Sequence, residues 1–171
     1  MKLMAADRRR KRGGNMILEA VLFIPFLLLL IVGMLRIGEI TYLYYTLKKT
    51  LYATAQYLAT QQGVDFCADS TGLVAAAKNF GLTGTSDGSA ESFLPQLSID
   101  QIDVTPECYD PSTQTVVACT LSCDGAAANI VQPDFIVVSI PSGYTVNPRL
   151  PYILNQEIPL FPFVRVPFGG T

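Results

Sequence analysis

Hydrophobic residues follow one another without a break in polarity from Met16 to Leu35, apart from one carboxylate, Glu19. Ala20 to Leu35 is a 16-residue stretch with no charge at all. As an α-helix, Asn15 to Leu35 reaches about 32 Å, enough to cross the hydrocarbon core of a bilayer. Beyond it the pattern changes from continuous to periodic. Ile37, Ile40, Leu43, Leu47, Leu51, Ala55 and Leu58 recur every three or four residues, with Thr41, Lys48, Lys49 and Gln56 between them. That spacing is helical. No Pro or Gly interrupts from Glu39 to Gln62, and Gly63 is the expected stop. The prediction is one helix of about 46 residues, roughly 70 Å, spanning a membrane over 16–35 and amphipathic outside it. Tyr42, Tyr44 and Tyr45 fall just past the span, where an interfacial aromatic belt belongs. Pro25 is expected to kink the span, a feature that membrane helices tolerate.

Residues 63–171 read as an α+β domain. In "DSTGLVAAAKNFGL", Asp69, Ser70 or Thr71 is the expected cap of a helix that stops at Gly81. "GTSDGSAES" is a loop. "LSIDQIDVT" and "TQTVVACTLSC" are strand candidates for a hairpin, with "YDPST" as a turn, and Cys108 near the Cys119 arm. "DFIVVSI" is the strongest strand of what reads as an antiparallel sheet. After Pro141 frequent prolines favour extended or edge structure, with a final strand over Phe163 to Val166, or an apolar docking surface in "PLFPFVRVPF".

Charge orients the chain. Lys2, Arg8, Arg9, Arg10, Lys11 and Arg12 crowd the N-terminus against Asp7 alone, whereas eleven acids beyond Gln62 face only Lys78, Arg149 and Arg165. The positive-inside rule keeps the basic cluster in the cytoplasm and exports the acidic remainder. Nucleic acid is excluded as a partner, because no aromatic and basic surface accompanies the charge. A cleavable secretory signal fits poorly: the apolar stretch is long and "GMLRIGEITY" closes it without a small-x-small site. Cys67, Cys108, Cys119 and Cys123 all lie in the exported part and predict two disulfides of open connectivity. Zinc is disfavoured by the absence of His and the wide Cys67–Cys108 spacing. Without His, a nucleophile elbow, a phosphate-binding Gly loop or paired acids, the chain predicts neither an enzyme nor a cofactor. The Asp-Ser-Thr-Gly run exists in one copy with the wrong spacing for an aspartic protease.

A carboxylate inside the front edge of a membrane segment is costly and points to a function. Gly14, then Asn15-Met16-Ile17-Leu18, then Glu19 resembles the class III signal of type IV pilin-like proteins. The wider "LEAVLFIPFLLLLIVGMLRIG" resembles the TadE-like segment of the tight-adherence pilus system, with Glu19, Pro25, Leu27 to Leu30, Gly33 and Gly38 in register. Ala20 stands where that pattern usually has an aromatic, and Arg36 where it often has an acid, with Glu39 one turn further on. The resemblance covers about 14–60. It implies a basic cytoplasmic leader over 1–14, a transmembrane and amphipathic helix over 15–62, and a disulfide-bonded periplasmic domain over 63–171. It further implies cleavage between Gly14 and Asn15 by a prepilin peptidase, and a structural minor pseudopilin in the inner membrane or in a pilus that serves cell adhesion. The implied partners are membrane lipid, the peptidase, other pilin-like subunits and the pilus assembly platform. Glu19 would then neutralise the new amino terminus of a neighbouring subunit. The alternative is a non-processed bitopic protein whose exported domain binds a ligand or partner.

Overall fold

The computed structural model describes residues 7–68, 71–94, 96–121, 123, 132–147 and 157–169, with side chains from Met16 onward. The chain divides into two compact units, 1–41 and 42–171. Helix α1 (Asp7–Ala59) supplies the described part of the first and opens the second. It starts eight residues before Asn15, inside the basic N-terminal stretch. Arg and Lys are good helix formers, and Gly13 and Gly14 cost only about 1 kcal/mol each relative to Ala, so the sequence of that stretch does not stop it. Pro25 lies inside the continuous helix. Its other end also differs from expectation. The helix stops at Ala59, whose carbonyl accepts the Gly169 N–H at 3.1 Å, and Thr60 Oγ1 closes on the Tyr57 carbonyl at 2.9 Å. Gly63 takes the left-handed conformation, φ +67°, in the turn that follows.

In the second unit the periodic stripe meets its own domain. Leu47, Leu51, Ala55 and Leu58 are fully buried, together with Thr50 and Thr54 from the same helix. Each leucine so removed from water contributes about 1.5–3 kcal/mol. One partner is α2 (Gly72–Thr83), which brings Val74, Ala77 and Leu82 into the core. Tyr57 and Phe80 stack across the two helices at 5.1 Å. The cap of α2 is Thr71, whose side chain makes no capping bond; Asp69 and Ser70 lie outside the described residues. Gly81 is not the stop. The helix runs two residues further and ends on Gly84, φ +80°, which donates to the Phe80 carbonyl at 2.9 Å. Gly81 has another reason to be glycine: a Cβ there would overlap Thr54 Oγ1 and sit 2.9 Å from the Thr50 carbonyl. It is the point where α2 lies against α1.

The sheet is antiparallel, in the order β2-β1-β3-β6, with β1 (Asp103–Asp110), β2 (Thr115–Ala118), β3 (Phe135–Ser139) and β6 (Phe163–Pro167). β4 (Tyr144–Val146) and β5 (Ile158–Leu160) form a separate two-stranded ribbon. "DFIVVSI" supplies the inner strand β3, and the hairpin and the final edge strand are present. The front of "LSIDQIDVT" is not strand. Ile99–Gln101 form a 3-10 turn, held because the Ser98 N–H donates to Gln101 Oε1 at 3.0 Å. "TQTVVACTLSC" contributes only its first part, β2. Pro106 sits inside β1 because the ladder to β2 ends there. Its carbonyl accepts Cys119 N–H at 2.9 Å, just past β2, so its missing donor falls at the ladder's end. Ile102, Val104, Ile136, Val138 and Val166 form the sheet's buried face.

β6 is the sheet's edge, and α1 runs beside it in the same direction. Lys48 Nζ lies 5.8 Å from the Phe163 ring at the strand's start, and Gly169, just past its end, bonds Ala59. Two disulfides complete the unit. Cys108–Cys119 joins β1 to the chain leaving β2, and Cys67–Cys123 ties the segment after α1 to a residue 56 positions later. The second unit is thus α+β, with a small antiparallel sheet.

Candidate functional site

The candidate site is the front of α1. Gly14 and Asn15 both lie within the helix, with side chains outside the described set. Glu19 follows one helical turn after Asn15, on exposed helix, and has no hydrogen-bond or ion-pair partner among the described residues. A carboxylate so placed keeps its full hydration demand, or seeks a cation supplied from elsewhere.

Around it the helix offers only hydrocarbon. Every large apolar side chain from Met16 to Leu35 is exposed, from 42% at Leu30 to 77% at Met16. A contiguous apolar surface of this extent is not left to water. Among the described residues, α1 is the one helix long and apolar enough to cross a membrane. A Cβ at Gly33 or Gly38 would have nothing within 4 Å, so no packing among the described residues explains them. Where the apolar run ends, Arg36 donates to Glu39 Oε2 at 2.7 Å, the pairing expected one turn apart.

The second unit presents no comparable arrangement among its described residues. Among the described residues, no group of three His, Cys, Asp or Glu side chains is arranged to hold a metal, and no cysteine is free. Its titrating groups have structural surroundings. Asp110, in the hairpin turn, is held below the ordinary carboxylate value by bonds from the Ser112 hydroxyl and N–H and the Thr113 hydroxyl. Asp87 is lowered in the same way, first by the Ser89 N–H and then by the hydroxyls of Ser89 and Thr85. Burial pushes the Tyr144 phenol up. Asp134 is a joint: its carboxylate accepts the Tyr109 N–H at 2.7 Å, its N–H reaches the Glu107 carbonyl, and its own carbonyl accepts Phe168 N–H. No buried side-chain nitrogen or oxygen among the described residues lacks a hydrogen-bond partner.

Two features escaped the sequence reading. Lys48 is held between two rings, 5.7 Å from Tyr44 and 5.8 Å from Phe163, and Arg165 stacks 4.1 Å over Phe135 while pairing with Glu107 at 2.8 Å. The Tyr44–Lys48 approach is a local i,i+4 pair on α1, but only the long-range register of β6 brings Phe163 to Lys48 and Arg165 to Phe135 and Glu107. No known protein family, characterised protein or solved structure matches the chain.

Proposed function

We propose that the chain is a pilin-like structural subunit or assembly factor of a tight-adherence pilus, of the TadE-like kind, with no chemistry of its own. The reading places α1 in the bacterial inner membrane, the basic leader in the cytoplasm and the disulfide-bonded domain in the periplasm. The observation that carries it is Glu19. This carboxylate stands one turn after Asn15 on an exposed apolar helix and has no partner among the described residues. Cleavage after Gly14 by a prepilin peptidase creates an ammonium group on Asn15. In an assembly, the Glu19 carboxylate of one subunit neutralises that group on its neighbour. Within low dielectric the pairing offsets much of the cost of burying either charge, and removing one partner costs about 3–5 kcal/mol.

Co-expression with an active prepilin peptidase, followed by N-terminal mass spectrometry of the membrane-extracted chain, tests the first step. The expected product begins at Asn15; persistence of Met1 to Gly14 overturns the processed reading. Glu19→Gln tests the second step. It is expected to leave membrane anchoring intact and to abolish incorporation into assembled pilus material, and undiminished incorporation removes the role of the carboxylate.

A second reading, the non-processed bitopic protein, draws on the burial of Leu47, Leu51, Ala55 and Leu58 by the chain's own domain. Over 47–58 that stripe is turned into the domain rather than offered to a filament, and Tyr52 is the large ring left exposed. The same mass measurement separates the two readings.

A further inference from the structure

The four-stranded sheet has two outer strands, β2 and β6, and they differ in kind. β6 carries Arg165 and Pro167, a charge and a missing donor, both of which discourage further pairing. β2 and its flanks, Thr113 to Leu121, contain no charge, no Pro and no Gly. Three bonds fix which way the backbone of β2 points. The Cys119 N–H reaches the Pro106 carbonyl at 2.9 Å, so position 119 faces β1. On β1 the Glu107 carbonyl and the Tyr109 N–H are both taken by Asp134, on the side away from β2. Their cross-strand neighbours, Ala118 and Val116, therefore turn their own N–H and C=O groups off the sheet. Among the described residues nothing bonds these groups. The side chains of Thr115, Val117 and Ala118 are exposed beside them.

We infer that β2 pairs with β2 of a second copy of this chain, antiparallel, about a two-fold axis through Val117. In that register Val116 of one copy faces Ala118 of the other, and Thr115 faces Cys119. Each copy donates two backbone bonds and accepts two, and the Val117 side chains, 46% exposed in the single chain, meet across the axis. A two-fold contact sets a strand against itself, so a charge near the axis would meet its like. The uncharged stretch 113–121 satisfies that condition and selects a second copy over a foreign strand. A foreign partner would leave β2 free to carry a charge for that partner to complement. The two sheets become one. Five paired residues a side fall short of the roughly 20–30 of a standard interface, so pairing follows the local density of chains. The inference rests on the fold of the second unit, and neither cleavage at Gly14 nor the placement of residues 16–35 enters it.

All four cysteines are bridged, so one introduced cysteine is a unique site for a nitroxide label. The uncleaved full chain is labelled as Tyr109→Cys and separately as Asp103→Cys, both exposed positions on β1, and reconstituted in phosphatidylcholine vesicles at low and high protein density. The strand spacing and the proposed axis set the Cα separation between copies at about 16 Å for position 109 and about 37 Å for position 103. Dipolar spectroscopy is expected to show both separations, in a fraction that grows with protein density. Val117→Lys in the Tyr109→Cys background is expected to lower the paired fraction about fivefold, by setting two like charges together at the axis. An equal mixture of the Val117→Lys and Val117→Glu chains is expected to restore it, which a variant that had failed to fold would not do. Absence of the short separation at high density overturns the inference. So do equal separations at 109 and 103, which assign the contact to another surface, and a Lys and Glu mixture that stays unpaired. Because no peptidase is present, a negative result here leaves the processing test untouched, and a negative processing result leaves this one standing.

Discussion

One helix meets two different solvents. Over Met16 to Leu35 the apolar side chains surround α1 on every side and none is covered by the chain. Over Leu47 to Leu58 they form a stripe, fully covered by the domain, while Lys48, Lys49 and Tyr52 stay outside. A helix that is hydrophobic all round needs an apolar surrounding, whereas a striped one needs a single packed neighbour. The two arrangements put stability in different places. Packing inside this chain stabilises the second segment, and only a bilayer or other subunits stabilise the first.

Equal truncations in the two segments expose that difference most sharply. Leu51→Ala removes a fully buried side chain from between α1 and the domain, and is expected to cost about 2–5 kcal/mol of domain stability. Leu28→Ala removes a side chain that is 57% exposed and touches no core, and is expected to leave the domain's urea midpoint in detergent unchanged. Comparable losses from the two would mean that the apolar run packs on the domain after all.

The glycines give a finer version of the test. Gly81→Ala is expected to cost about 1–3 kcal/mol by overpacking, despite the better helix propensity of Ala. Turning Thr54 aside to make room would sacrifice its bond to the Thr50 carbonyl, 3.1 Å, and the carbonyl itself cannot rotate away. Gly33→Ala meets open space and is expected to be neutral for the domain, by the same denaturation measurement. If Gly33→Ala instead impairs assembly with the domain intact, close helix packing between subunits is where that glycine acts.

How much of this the sequence discloses follows the range of each interaction. The apolar run, the stripe, β3 and the hairpin turn are local patterns, so composition and period expose them. Gly81 reads as a stop because the helix-ending habit of glycine is local, while its true contact, Thr54, lies 27 positions away. The 3-10 turn at Ile99 hides in a run whose alternation resembles strand, and beside its two backbone bonds the Gln101 side chain caps it by accepting the Ser98 N–H. Cys108–Cys119 follows from the hairpin, but Cys67–Cys123 depends on how the domain folds back. Lys48 between Tyr44 and Phe163 needs the placement of β6 against α1, which no window of sequence contains. Glu19 is the opposite case. Its position is plain in the sequence, and no partner among the described residues explains it.

The smallest effect concerns pH and separates the two regions by chemistry rather than packing. Asp110 is half-buried at the end of β1, and its carboxylate organises the hairpin turn, accepting Ser112 Oγ at 2.6 Å, Ser112 N–H at 2.9 Å and Thr113 Oγ1 at 3.0 Å. These bonds favour the ionised form, so its folded value lies below the ordinary 3.8. An unfolded chain therefore binds this proton at higher pH than the folded one does. The stabilisation is complete above the unfolded value and is lost as pH falls through the lower, folded value. Asp110→Ala should flatten that acid limb of domain stability, read as the shift in urea midpoint between about pH 6 and about pH 3. The turn it serves joins β1 to β2, one of them an edge strand of the sheet, so the loss is small and confined to the second unit. The helical far-UV signal from residues 16–35 should not follow it. A parallel acid loss in both would mean that the two segments of α1 melt as one cooperative unit, contrary to the separate surroundings that their side chains occupy.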